Sequence, residues 1–270
     1  MRERYRITGL LLILAVAAPA AQPGGPMPVF ILAGQSNMAG SGRVEELPHE
    51  LAGVQQDVRF INFWSTDFKP LDSAKLGKSF GPEVTFGREM ALAMGRPVGL
   101  IKLAVGGTSI EQHWNPAVFD KEKHVGELYQ RLRKYVEDVR KVHPDIRIAG
   151  MIWMQGEADA RYHAKSVEQY REKLEALIDG YRQAFGIESL PFVCGRVNPP
   201  NYPYQKNVRA AQEGVTRQSY AWIDCDDLAM HDDKLHFNTA GQIELGRRFA
   251  AAMVKLTLKT TDSSLREPAP

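Results

Sequence analysis

Six short apolar runs recur along the chain: PVFILAG (28–34), VRFINFW (58–64), VGLIKLAVGG (98–107), IRIAGMIWMQG (146–156), LPFVCGRV (190–197) and YAWIDC (220–225). None alternates apolar with polar residues, as expected of parallel strands covered on both faces. Helical patterns lie between them. Residues 82–95 end in Gly95, which suits a left-handed C-cap. Residues 125–144 put Leu128, Leu132, Tyr135, Val136 and Val139 on one stripe and stop at Pro144. Residues 166–186, 207–218 and 239–256 complete the set, with Ser166 and Thr239 as candidate N-caps. Strand–helix alternation of this kind predicts an α/β fold, a three-layer α/β/α sandwich around a mainly parallel sheet. In such sheets a ligand sits beyond the carboxyl ends of the strands.

Composition changes this picture little. The 270 residues are 44% hydrophobic and 24% charged, with a formal net charge of +2, so no basic field points to nucleic acid. The N-terminus is different. MRERYR is a short basic segment, ITGLLLILAVAA is apolar, and Ala18 and Ala20 precede a Gly/Pro-rich lead-in. This is the pattern of a signal peptide, residues 1–20, cleaved after Ala20 or Ala21, with export to the periplasm or exterior. The apolar run is short for a bilayer span, so no membrane insertion is expected after cleavage. Residues 21–260 then form a single domain and 261–270 a polar tail. The two cysteines, Cys194 and Cys225, are either a pair or two buried thiols, the second reading being favoured. They have no metal-ligand spacing.

Candidate chemistry collects at the ends of the apolar runs. GQSNM follows the first, GGTSIEQHW (106–114) the third and WMQGEAD (153–159) the fourth, while DDKLHFN (232–238) precedes the last helix. Each block alone has a plain structural explanation; four at one predicted sheet edge are harder to dismiss. A serine needs a general base within hydrogen-bond reach and a group that orients the base. Asp233 and His236, three apart, supply both to Ser36. Acyl transfer also needs donors for the developing oxyanion. The backbone N–H of Ser36, one from Gly106 or Gly107 (Gly107 preferred) and the Gln155 amide are the candidates. Gln35 and Asn37 flank the nucleophile and are placed to brace its turn. Glu157 is read as support for the oxyanion loop or as a partner for a sugar hydroxyl, the first reading being favoured. His113 and Trp114 are candidates for the pocket wall, Trp153 for the core, and Tyr202 or Tyr204 for stacking on a sugar.

In this order the blocks resemble the SGNH-hydrolase superfamily, and within it the carbohydrate acetylesterases grouped with sialate O-acetylesterase and carbohydrate esterase family 6 acetylxylan esterases. Gly34–Gln35–Ser36 and Gln155–Gly156–Glu157 carry that likeness, and SFGPEVTFG (79–87) extends it. The resemblance spans about Pro28 to Leu256. It implies a sheet of five parallel strands in flavodoxin-like order. It also implies Ser36 as nucleophile, His236 as base, Asp233 as orienting acid, no metal or cofactor, and an acetylated carbohydrate as substrate. The sugar and the oligomeric state stay open. Two other readings remain: a lipid or thioester hydrolase of the same superfamily, and a glycan-binding protein without catalysis. The first turn lacks a dinucleotide or P-loop glycine pattern, which argues against nucleotide binding.

Overall fold

A computed structural model describes residues 25–62, 65–162 and 169–264. The expected leader at residues 1–20 and the cap at Ser166 lie outside the described residues. The strands are β1 (Met27–Gly34), β2 (Gly42–Arg43), β3 (Val54–Asn62), β4 (Lys69–Asp72), β5 (Ser79–Phe80), β6 (Val98–Ala104), β7 (Ile146–Met154), β8 (Phe192–Gly195) and β9 (Tyr220–Ile223). The helices are α1 (Ser36–Ala39), α2 (Glu83–Met94), α3 (Glu127–Val142), α4 (Glu157–Tyr162), α5 (Tyr170–Phe185), α6 (Gln205–Glu213) and α7 (Thr239–Ser264).

Seven strands form the main sheet in the order β4-β3-β6-β1-β7-β8-β9. All pair in parallel except β3 with β4. One expectation needs correction. The sheet has seven strands, not five. The five inner parallel strands, β6-β1-β7-β8-β9, keep the flavodoxin-like order 2-1-3-4-5, and β3 and β4 extend the sheet beyond β6. Burial accounts for the outer place of β3. Strand β6 is buried along nearly its whole length, while β3 has only two buried positions, Val58 and Ile61. The more apolar strand takes the inner place beside β1, and β3 is left outside, paired with the short β4. That strand, KPLD, has a single buried residue and no apolar run to announce it.

Strand β1 is the centre of the core: Val29 to Ala33 are all 0% exposed. Helix α2 packs on α7 and α3 on α5. The α3 stripe is buried as expected, and Phe86 of α2 meets Phe30 of β1 edge-on at 5.5 Å between centroids. Gly95 and Gly186 cap their helices in the left-handed conformation. The last helix is capped by Asn238 rather than Thr239, for Asn238 Oδ1 accepts the Gly241 N–H at 3.1 Å. It runs to Ser264, past the expected end at 256. Among the described residues no helix is long and apolar enough to cross a membrane. Cys194 and Cys225 are both buried and unpaired, and burial pushes the Cys194 thiol up to about 12.

Register sets the level of the site. Gly34 at the end of β1 pairs with Ala104 at the end of β6 and Met154 at the end of β7. The three segments that follow therefore leave the sheet side by side. The chain also switches direction here, since the strands before β7 lie to one side of β1 and those after it to the other. Such a reversal opens a crevice at the carboxyl ends.

Candidate active site

The turn after β1 admits little but glycine at position 34. Gly34 has φ of +146°, and a Cβ there would overlap the Met154 carbonyl. Gln35 N–H then donates to Met154 O at 2.9 Å. The Gln35 side-chain oxygen accepts from the Ala158 N–H at 3.3 Å and the Gln155 amide at 3.4 Å. Helix α1 starts at Ser36, and the preceding residue makes no side-chain cap. The serine hydroxyl faces His236 instead.

Ser36 Oγ lies 3.0 Å from His236 Nε2. His236 Nδ1 lies 2.7 Å from Asp233 Oδ2. Asp233 Oδ1 accepts the backbone N–H groups of Leu235 at 2.9 Å and His236 at 3.0 Å. Burial alone would raise the Asp233 carboxyl, but these hydrogen bonds from His236 and Leu235 outweigh it and hold the group at about 2. Asp233 is thus ionised near neutrality and only accepts. The imidazole proton sits on Nδ1, and the Nε2 lone pair is left to Ser36.

The loop of His236 is tied to the turn of Ser36 by Asn37. Its Nδ2 donates to Leu235 O at 3.1 Å and its Oδ1 accepts the Phe237 N–H at 3.0 Å, so one side chain grips the residues on either side of His236. The same Nδ2 donates to Glu157 Oε1 at 2.8 Å. Glu157 is buried, its other oxygen has no partner, and burial raises its carboxyl above the usual range. The expectation that Asn37 braces its own turn is not what its side chain does; its bonds run to Glu157 and to the loop of His236.

The glycine turn stands beside Ser36. Val105 N–H donates to Gly34 O at 3.1 Å, and a Cβ on Gly106 would lie 3.6 Å from Ser36 Cβ. Gly107 adopts φ of +72° in open space, and both glycines are exposed. Gln155 is placed differently from expectation. It is 0% exposed, and its Nε2 donates to Asp159 Oδ2 at 2.6 Å and Thr108 O at 2.9 Å. With both amide protons committed, it offers no free donor to an oxyanion. Trp114 also departs from expectation. It is fully buried, donates from Nε1 to Thr108 Oγ1 at 2.9 Å and packs edge-on against Trp153 at 5.1 Å. Its large apolar ring finds more cover in the core than at a pocket wall. His113 folds back on its own loop, where Nδ1 accepts the Ser109 N–H at 3.2 Å.

Two contributors escaped the sequence reading. Asp159, the last residue of WMQGEAD, is completely buried beneath the glycine loop. Lys102, inside an apolar strand, pairs with Glu83 at 2.6 Å and donates to Ala39 O at 2.8 Å, anchoring the end of α1. A lysine interrupting an otherwise apolar run was the available signal for the second. A cleft of about 660 Å³ opens at this edge, its lining including Ala39, Asn62, Lys69, Lys102, Val105 and Arg131.

A serine, imidazole and carboxylate thus stand in series at the switch point of a parallel sheet, an arrangement compatible with ester hydrolysis. The sequence model of one family, described as carbohydrate esterase, sialic acid-specific acetylesterase, matches residues 26–255, and the chain belongs to that family. It is a carboxylic ester hydrolase. It is 29% identical over 251 residues to a probable carbohydrate esterase of Arabidopsis thaliana, covering 85% of this chain and 91% of that protein. The crystal structure of the Arabidopsis protein superposes with a TM-score of 0.74 at 25% identity, over 85% of this chain and 98% of that one. A carbohydrate acetylesterase from Xanthomonas citri shares the fold, with a TM-score of 0.66 at 20% identity over 86% of this chain and 56% of that one.

Proposed function

We propose that this protein removes O-acetyl groups from a carbohydrate through an acetyl-enzyme on Ser36. The observation that carries the reading is the unbroken relay from Ser36 Oγ through His236 to Asp233, at 3.0 and 2.7 Å. Ser36 Oγ attacks the acetyl carbonyl carbon while His236 Nε2 takes its proton. The imidazolium formed is stabilised by the Asp233 carboxylate. The backbone N–H of Ser36 and one from the Gly106–Gly107 turn receive the oxyanion, at the N-terminal end of α1. The tetrahedral adduct collapses, the C–O bond to the sugar breaks, and His236 returns the proton to the leaving sugar oxygen. Water, deprotonated by His236, then releases acetate and regenerates Ser36. Each donor to such an oxyanion is worth about 3–4 kcal/mol of barrier. Family membership supports the carbohydrate, acetylated xylan or sialic acid type, and the N-terminal pattern supports export. The helix pairs α2–α7 and α3–α5 support a three-layer arrangement of one domain over 21–260.

Ser36→Ala tests the mechanism. Turnover of a chromogenic acetate ester is expected to fall by roughly 10⁴-fold or more, with unchanged thermal unfolding and loss of fluorophosphonate labelling. A variant that keeps most of its activity overturns it. Chain-length preference tests the substrate side: octanoyl esters cleaved as well as acetyl esters would point to a lipid or thioester hydrolase.

A further inference from the structure

Asp159 is 0% exposed and directs its carboxylate at the loop that carries Gly106 and Gly107. Its Oδ2 accepts the Ile110 N–H at 3.0 Å and its Oδ1 the Glu111 N–H at 3.3 Å. Oδ2 also accepts from Gln155 Nε2 at 2.6 Å, and the same nitrogen donates to Thr108 O at 2.9 Å. Gln155 is locked in turn, since Tyr170 OH lies 2.9 Å from its backbone carbonyl oxygen and 3.1 Å from its side-chain oxygen. Thus residues 108, 110 and 111, directly after the glycine pair, hang on one buried carboxylate and its amide partner. The glycines themselves are exposed, and a Cβ on Gly107 would meet nothing within 4 Å. Thr108 Oγ1 closes the turn by donating to Val105 O at 2.7 Å, so the turn is tied at Thr108 to the segment that Asp159 and Gln155 hold.

We infer that Asp159 is a positioning residue for the oxyanion contact, acting through the 108–111 segment on the Gly106–Gly107 turn. The inference rests on the acyl-transfer reading of Ser36. The carboxylate form matters. Several N–H groups converge on Asp159, and an ionised acceptor makes each bond shorter and stronger than a neutral one. An asparagine there keeps the shape but presents one NH₂ to groups that are themselves donors. The segment must then shift or rotate, and the glycine N–H leaves the position where a developing oxyanion forms. Substrate binding needs that contact less than the transition state does, so the loss falls on turnover.

The experiment compares Asp159→Asn with the wild type in acetate-ester kinetics and in inhibition by methylboronic acid, whose tetrahedral serine adduct places an oxygen where the oxyanion sits. The expected result is a kcat about 10–100-fold lower, a KM within about threefold, and a boronate Ki weakened by about the same factor as kcat, in a variant folded by circular dichroism. A folded variant with wild-type kcat and Ki overturns the inference. So does a kcat that falls only in step with the folded fraction while Ki is unchanged, which is the mark of a purely structural residue. Should Asp159→Asn not fold, Gln155→Met cuts the same link to Thr108 and is read by the same two numbers, with a loss of about tenfold expected; wild-type numbers there overturn the inference. Ser36→Ala separates the two layers. Activity in Ser36→Ala removes the acyl-transfer reading, whereas an inactive Ser36→Ala beside a wild-type-like Asp159→Asn removes this inference alone.

Discussion

Ser36 and His236 stand on supports of opposite kind. Ser36 follows a strand whose interior residues are all buried, and its turn is bound to the neighbouring strand end through Gln35 and Met154. Asp233 and His236 lie on a loop in which residues 232–234 are exposed. That loop is held at one end by the buried Phe237 and across its span by Asn37. The core thus supplies position at Ser36. At His236, a few long-range hydrogen bonds supply it, and solvent reaches the Asp233 carboxylate. In the proposed reaction, rigidity where the bond forms and access where protons move are both served by this division.

The sharpest break strikes the rigid side. Gly34→Ala puts a methyl group into the Met154 carbonyl at a φ that side chains rarely adopt. Overpacking and backbone strain, each roughly 1–3 kcal/mol, predict a loss of about 2–6 kcal/mol in denaturant unfolding, with activity lost alongside. A variant as stable as the wild type would show that β1 and β7 yield more easily than their close approach implies. On the base side, Asn37→Ala removes the grip on residues 235 and 237 and leaves the Glu157 carboxyl without its amide. The fold is expected to survive with a loss of about 1–3 kcal/mol, while kcat falls about 10–100-fold from a displaced imidazole. Equal losses of stability at Gly34 and Asn37 would erase the distinction between the two supports.

The smallest effect is one of pH. Asp233 is held at about 2 against its usual 3.8, so its folded-state pKa is lowered. Its contribution to stability is present in full above about pH 4 and is lost as pH falls through about 2. The stability gap between the wild type and Asp233→Asn, followed by thermal unfolding from pH 6 to pH 2, is therefore expected to be constant down to about pH 4 and to narrow below it. A gap that stays constant to pH 2 would mean that the loop does not hold the carboxylate ionised.

Much of the fold was legible along the chain because apolar periodicity is local. The six apolar runs each overlap a strand, and the α3 stripe is buried residue for residue. Strand β4 was not legible, since KPLD gains its order from pairing with β3 rather than from its own composition. In the site, the blocks around Ser36, Gly106–Gly107, Gln155 and His236 were readable as polar residues placed after apolar runs. Their division of labour was less so. Gln155 is an amide of the right type in the right place, yet its protons are used by Asp159 and Thr108. Trp114 looked like a pocket wall and is core.

By itself the sequence determined the six apolar strands and the long helices, and which polar residues stand where those strands end. Both follow from side-chain chemistry read over a few neighbours. Tertiary structure decided that β3 and β4 extend the sheet outside β6, because burial is shared among all strands competing for the centre. It also decided which polar groups are spent and which are free. Asn37 finds Phe237 two hundred residues away, and a buried donor takes whichever acceptor the closed chain brings within about 3 Å.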